Sequence, residues 1–358
     1  MRRHCFTRLL AGIVLAAMAA AHAQGGSEPG PDWPAATTAE QAFDAKTFAG
    51  LDRSIAELTD IRSVVVIRRG RVAFEYHRGG YKQDTLHSVE SVTKSVLSAL
   101  VGIAHAQGRI TNLDQPVVAL MPELASVNTD PRAQQLTVRH LLTMTAGFKD
   151  SERRFFDPKE HAQFAMSRAF ESAPGEAFRY DNWASDLLSA VLEKAIDEKP
   201  AAYAQRHLFG PLAIERSDWR VDERGHNLGH TGLSLSTRDI AKLGQLFMQD
   251  GVWAGKQIVP KDFALAATDR QNAGGPPMGL AYGFLWWISP ASAPGRRTFI
   301  ASGFGGQIVW VHQALDLVVA VSSDISQASG DRNQAINLAR RQVFGLVQRS
   351  QAEQPAAQ

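Results

Sequence analysis

Leu86-His87-Ser88-Val89-Glu90-Ser91-Val92-Thr93-Lys94-Ser95-Val96-Leu97-Ser98-Ala99-Leu100 contains the pattern S-x-x-K, with Ser91 and Lys94 three residues apart. Residues i and i+3 are neighbours on one face of a helix, so on a helix the Lys94 amine can reach the Ser91 hydroxyl. A serine hydroxyl is a poor nucleophile until an adjacent base takes its proton. An amine can be that base where burial or nearby positive charge disfavours its protonated form. Val96, Leu97, Leu100, Val101 and Ile103 would bury the helix and draw Lys94 into drier surroundings. Alone, S-x-x-K is more often a solvated helical turn, so its meaning depends on what accompanies it.

Composition narrows the field. With 358 residues the chain has ample core for one large domain or two intimate ones. Arg2, Arg3 and Arg8 precede the apolar run Leu9 to Ala20, and Ala21-His22-Ala23 supplies small residues for cleavage. This reads as a secretory signal peptide over residues 1–23, too short for a comfortable membrane span. Loss of those three arginines takes the formal charge from +2 to about −1, a balance that gives no reason to expect nucleic acid or anionic membrane as partner. The single cysteine, Cys5, falls inside this signal region, so the exported chain would carry no disulfide, thiolate nucleophile or cysteine-bound metal. The expected location is the bacterial periplasm or the medium.

Along the chain, residues 24–43 read as a flexible leader and Asp44 as the N-cap of a first helix. Ser63 to Ile67 and Arg71 to Tyr76 flank Arg69-Gly70 as a β-hairpin. The middle is mostly helical, with Thr137 and Ser236 as caps and a helix from Asp186 to Ile196. Strands return at Tyr282 to Ile288, Thr298 to Ser302, Gln307 to His312 and Leu317 to Ser322, before a closing helix from about Asn333 to Leu346. The expectation is an α+β domain over 44–348. Its antiparallel sheet draws on both chain ends (about 44–86 and 280–348), with a helical lobe (about 87–279) inserted, and 349–358 form a disordered tail.

Further stretches accompany S-x-x-K. Tyr180-Asp181-Asn182 follows Pro174-Gly175 and precedes a helix, where a tyrosine beside a lysine can give or take a proton. Asn182 would offer an amide to substrate or to Lys94, although a buried tyrosine with a satisfied hydroxyl fits the same residues. Late in the chain, Ser302-Gly303 lie on a predicted strand, whose edge can donate a backbone N–H to an oxyanion. A glycine-requiring hairpin turn is the plainer explanation of that stretch taken by itself.

Together, and in this order, Ser91-Val92-Thr93-Lys94, Tyr180-Asp181-Asn182 and the late Ser-Gly strand resemble the three motifs of the serine β-lactamase and penicillin-recognising family. The Y-x-N form is similar to the class C branch, with its esterases and 6-aminohexanoate-dimer hydrolases. The resemblance extends to Leu136–Gly147, Gly232–Gly251, Tyr282–Trp287 and Ala301–Gln307. It implies Ser91 as acylated nucleophile, Lys94 with Tyr180 as proton-transfer pair, and Asn182, Ser302 and Gly303 as substrate-binding residues. The Ser91 N–H and one N–H from the Ser302–Gln307 strand would form the oxyanion hole. No metal or organic cofactor is implied, and the substrate would be a small or peptide-like amide or ester.

The chain departs from the family at the third motif. Ala301 precedes Ser302-Gly303 where K-T-G or H-T-G is usual, which removes a partner for a substrate carboxylate. His230-Thr231-Gly232 matches literally but comes before the late strands and reads as a local turn, with its use as the third motif left open. His226 and His230 lack a helix to present both to a metal, and no third ligand suggests itself. Neither G-x-S-x-G nor G-x-G-x-x-G occurs. A D-amino-acid peptidase or weak β-lactamase, and a non-catalytic penicillin-binding sensor, stand as alternatives to an amidase or esterase.

Overall fold

The computed structural model describes residues 32–151, 160–293, 295–326 and 333–352. The signal-peptide reading and Cys5 lie outside them.

Val64-Val65-Val66-Ile67 is a continuous apolar run with no exposed member. Successive strand residues face opposite sides, so a run buried throughout needs cover on both faces of its sheet. It forms β1 (Ile61–Arg68), which turns through Arg69-Gly70, both at positive φ, into β2 (Arg71–His77). β3 (His87–Ser88), β4 (Asp218–Trp219) and β5 (Leu233–Leu235) form a small sheet in the order β3-β5-β4, and β6 (Val252–Trp253) pairs with β7 (Lys256–Gln257) in another. β8 (Asn272–Gly275), β9 (Leu280–Tyr282), β10 (Trp287–Ala293), β11 (Arg296–Gly303), β12 (Gln307–His312) and β13 (Leu317–Ser323) complete the main sheet. Its order is β2-β1-β13-β12-β11-β10-β9-β8, all antiparallel among its paired neighbours. The last strand pairs with the first, Val64 opposite Val321 and Val66 opposite Val319, so the sheet is built from both chain ends as expected.

The helices are α1 (Thr38–Thr47), α2 (Leu51–Ala56), α3 (Val92–Ala106), α4 (Val117–Leu120), α5 (Val138–Leu142), α6 (His161–Ser167), α7 (Asn182–Ile196), α8 (Pro200–Ala204), α9 (Thr237–Met248), α10 (Lys261–Ala267), α11 (Gln334–Asn337) and α12 (Phe344–Ala352). α9 falls inside the segment assigned to the lobe but packs on β1, β12 and β13. Gly244 permits this, since a Cβ there would stand 2.6 Å from a Val309 methyl.

Three readings of local structure change. The first helix starts at Thr38, not at Asp44: Thr37 caps it in a reciprocal box with Glu40. Asp44 lies within that helix, buried, because its carboxylate accepts from the Arg71 guanidinium at 2.7 Å. Tyr282–Ile288 is two strands, β9 and β10, joined by a turn at Gly283–Trp286. The turn is buried and apolar, so it lacks polar turn chemistry. Its backbone is satisfied from outside instead: Leu285 donates to the Leu142 carbonyl at 3.0 Å, and the Leu285 carbonyl accepts from Ser95 Oγ at 2.8 Å. At the C-terminus, helical structure runs past Leu346 to Ala352, four residues into the segment expected to be disordered, with a π-helical stretch at Leu338–Val343.

His87 on β3 is buried, stacks on Tyr81 and lies 3.4 Å from Ser63 Oγ. Burial, reinforced by the nearby His77 and Arg62, pushes its pKa from 6.5 down to about 4. The unfolded chain therefore binds more protons between these values, and stability is complete above about pH 6.5 and falls as pH drops towards 4. In thermal melts across that window, His87→Gln should lose less stability than the wild type, the difference amounting to about 2–3 kcal/mol at most. Parallel curves for the two proteins would show that His87 does not couple folding to pH.

Candidate active site

Ser91 stands at the N-cap of α3, where a serine hydroxyl ordinarily accepts from the first turn of the helix. Here it makes no such bond. Its Oγ instead accepts from Lys94 Nζ at 2.9 Å, one turn on. Lys94 Nζ also donates to Asn182 Oδ1 at 2.8 Å and to the His230 carbonyl at 2.9 Å. Lys94 is 1% exposed, so these three acceptors stand in place of water. The preceding residue, Glu90, takes a positive φ of 49°, a cost offset by fixed partners: its carboxylate accepts from Ser88 Oγ at 2.7 Å and from Thr231 Oγ1 at 3.1 Å.

Asn182 is the first residue of α7, and Asp181 before it caps the helix by accepting from the Ala184 N–H. The buried Arg168 guanidinium holds the other Asp181 oxygen at 2.6 Å. Tyr180 thus leaves the helix start in a defined direction. Its ring stacks on Trp287 with centroids 5.5 Å apart, and Lys94 Nζ sits 4.9 Å from the centre of the tyrosine ring. Tyr282 packs edge-on to both rings, and Phe178 extends the wall. Burial, and then the neighbouring Tyr180, hold the Tyr282 hydroxyl well above the usual phenol range. Trp287 therefore serves as the backing of Tyr180.

Ser302 and Gly303 end β11, opposite Ile308 and Gln307 of β12. Gly303 lies directly against the approach to the serine: a Cβ there would fall 2.6 Å from the Val89 carbonyl oxygen and 3.0 Å from Glu90 Cβ. The glycine is needed because two backbones meet there, not for a hairpin turn.

His230 belongs to the site despite its position before the late strands, but it enters through its backbone carbonyl on Lys94. Its imidazole turns away to Asp186, and His226 turns to Glu193. His230 is joined not by His226 but by His161: among the described residues, His161, Asp186 and His230 are buried with their ligand-type atoms within 4.8 Å of one another. Asp186 Oδ1 accepts from the N–H groups of Gly229 (2.7 Å) and His230 (3.0 Å), and Oδ2 from His161 Nδ1 (2.7 Å). Burial opposes its charge, yet His230 and His161 hold the carboxyl well below the usual range. The sequence signal for this cluster is a carboxylate within a helical stretch that is apolar at Leu187, Leu188, Ala190 and Val191.

Gly303→Ala should force the β11 end and the Val89–Glu90 backbone apart, costing about 1–3 kcal/mol in a chemical melt and displacing Ser91. A variant as stable and as reactive as the wild type would mean that this contact does not set the position of the serine.

The comparisons with known proteins agree with this architecture. A 6-aminohexanoate-dimer hydrolase of Paenarthrobacter ureafaciens is 26% identical over 319 residues, covering 78% of this chain and 79% of that protein. Esterase EstB of Burkholderia gladioli is 26% identical over 197 residues, 48% of this chain and 50% of the esterase. A Bacillus anthracis structure, provisionally assigned as a 6-aminohexanoate-dimer hydrolase, superposes with a TM-score of 0.71 at 18% identity, over 84% of this chain and 82% of its own. The Beta-lactamase family model matches residues 51–343, and the chain belongs to the β-lactamase family.

Proposed function

We propose that this protein is an exported serine hydrolase that cleaves an amide or ester through an acyl-enzyme on Ser91. The observation that carries the reading is the surroundings of Lys94 Nζ. A neutral amine has two N–H groups and one lone pair. With Asn182 Oδ1 and the His230 carbonyl each taking an N–H, the lone pair is left facing Ser91 Oγ at 2.9 Å. When Lys94 is neutral, the contact is the reverse of an ammonium donating to the serine: Ser91 donates and Lys94 accepts.

In that state Ser91 Oγ attacks the substrate carbonyl carbon while its proton passes to Lys94. The tetrahedral oxyanion forms at the N-terminus of α3, where the helix dipole and the Ser91 N–H favour negative charge, with a second N–H drawn from the end of β11. Lys94 returns the proton, through the neighbouring Tyr180, to the departing amine or alkoxide as its bond to carbon breaks. Water then attacks the acyl carbon, giving its proton to the same pair, and Ser91 leaves with a proton restored. Asn182 serves both Lys94 and the substrate amide. The activities named for the Paenarthrobacter and Burkholderia relatives, on an amide and as an esterase, support this substrate class. Export is supported by Arg2, Arg3 and Arg8 before the run Leu9–Ala20. No helix among the described residues is long and apolar enough to cross a membrane.

Ala301 before Ser302, in place of a cation, favours substrates without a carboxylate at that position over penicillins and D-amino-acid peptides. Intact mass measured after brief exposure to p-nitrophenyl acetate, and separately to a fluorescent penicillin, tests the reading. The ester should give an adduct that turns over, the penicillin one that lingers, and Ser91→Ala should give neither. Lys94→Ala should cut the acylation rate on the order of a hundred-fold or more with the fold intact. Rapid penicillin turnover would make the protein a β-lactamase, and no Ser91-dependent adduct with either compound would leave it a binding protein.

A further inference from the structure

We propose that Asp186 is a positioning residue which, held by His161, aims the lone pair of Lys94 at Ser91. The inference rests on Lys94 acting as the proton acceptor described above. It begins from the freedom of a lysine: four flexible methylenes place the amine, and only its acceptors fix the direction of its lone pair. One acceptor, Asn182 Oδ1, stands on the first turn of α7. The other, the His230 carbonyl, belongs to the loop before β5, and loops hold position poorly unless tied to a rigid element.

Asp186 supplies the tie. It lies four residues after Asn182, on the same face of α7. One carboxylate oxygen takes the backbone N–H groups of both Gly229 and His230, and the His230 imidazole reaches the same oxygen at 2.8 Å. The loop also lies flat on the helix: a side chain at Gly229 would collide with the Ser185 carbonyl oxygen, so the backbone approaches as closely as it can. Both acceptors of Lys94 are thereby referred to one helix face. His161, from α6, fixes the rotation of the carboxylate through the 2.7 Å bond to Oδ2, and its own ring packs against Trp183. Asp186 touches neither Ser91 nor the lysine, and its effect passes through the His230 carbonyl.

The test measures the rate constant for acylation of Ser91 by p-nitrophenyl acetate in a quenched reaction read by intact mass, with KM determined alongside. Asp186→Asn keeps the shape but puts an amide N–H where an imidazole N–H must be accepted. It should slow acylation on the order of ten- to a hundred-fold, with KM nearly unchanged and one adduct still formed per chain. His161→Phe should show a smaller loss of the same kind. His161→Asn, whose amide nitrogen can occupy the Nδ1 position, should recover most of it. The His161 pair decides the matter if Asp186→Asn fails to fold. Equal rates for wild type, His161→Phe and His161→Asn would overturn the proposal, as would equal losses in both variants accompanied by a raised KM. An adduct that survives Ser91→Ala would instead overturn the Ser91 mechanism, whatever Asp186 does.

Discussion

Lys94 is a buried amine held at three points, and the architecture around it follows from supplying those points. Taking an ammonium or amine out of water is costly unless every hydrogen-bonding direction is met. Ser91, Asn182 and His230 meet them from three places in the chain: the start of α3, the start of α7 and the loop leading to β5. None of these could shift by an ångström without leaving a buried donor unpaired. Helix caps, the Arg168–Asp181 pair and the Asp186 cluster are the means by which three separate backbone segments are kept in one register.

The sheet contributes the fourth side. β11 ends against the backbone ahead of Ser91, and β10 places Trp287 behind Tyr180. The buried turn between β9 and β10 docks on Ser95 of α3, so the helix carrying Lys94 and the strand carrying Trp287 are joined by a hydrogen bond as well as by packing. The aromatic wall of Tyr180, Tyr282, Trp287 and Phe178 makes this side of the site apolar. With Ala301 preceding Ser302, the strand adds no positive charge beside it.

The helix with Ser91 and Lys94, the hairpin at Arg69-Gly70 and the closing strands were legible because their periodicity and turn residues are local properties of the chain. The capping role of Thr37 was equally local, but Ala-rich, polar surroundings disguised the helix as a leader. The turn at Gly283–Trp286 was hidden for a different reason. A turn normally advertises itself by polar residues that satisfy its backbone, and here distant residues do so, leaving an apolar sequence that imitates a strand. The His230 motif leaves its role open because its contribution is a carbonyl, a group that every residue carries and no motif can reveal. The joining of His161 to Asp186 across 25 residues is likewise a product of packing α6 on α7.

The pairing of β1 with β13 has a consequence for how the protein comes into being. Residues 61–68 find their central sheet neighbour only when residues 317–323 are present, more than two hundred residues later. Until then the strand Val64-Val65-Val66-Ile67 has only β2 beside it, and its other edge is an apolar template open to any passing chain. Contacts this distant in sequence close slowly, because the loop entropy is lost before the contact energy is gained. Folding of the domain is thus a late, whole-chain event. A chain shortened before Leu317 keeps the Ser91–Lys94 helix and the Asn182 helix in sequence, yet exposes the middle of its own sheet as a surface for aggregation.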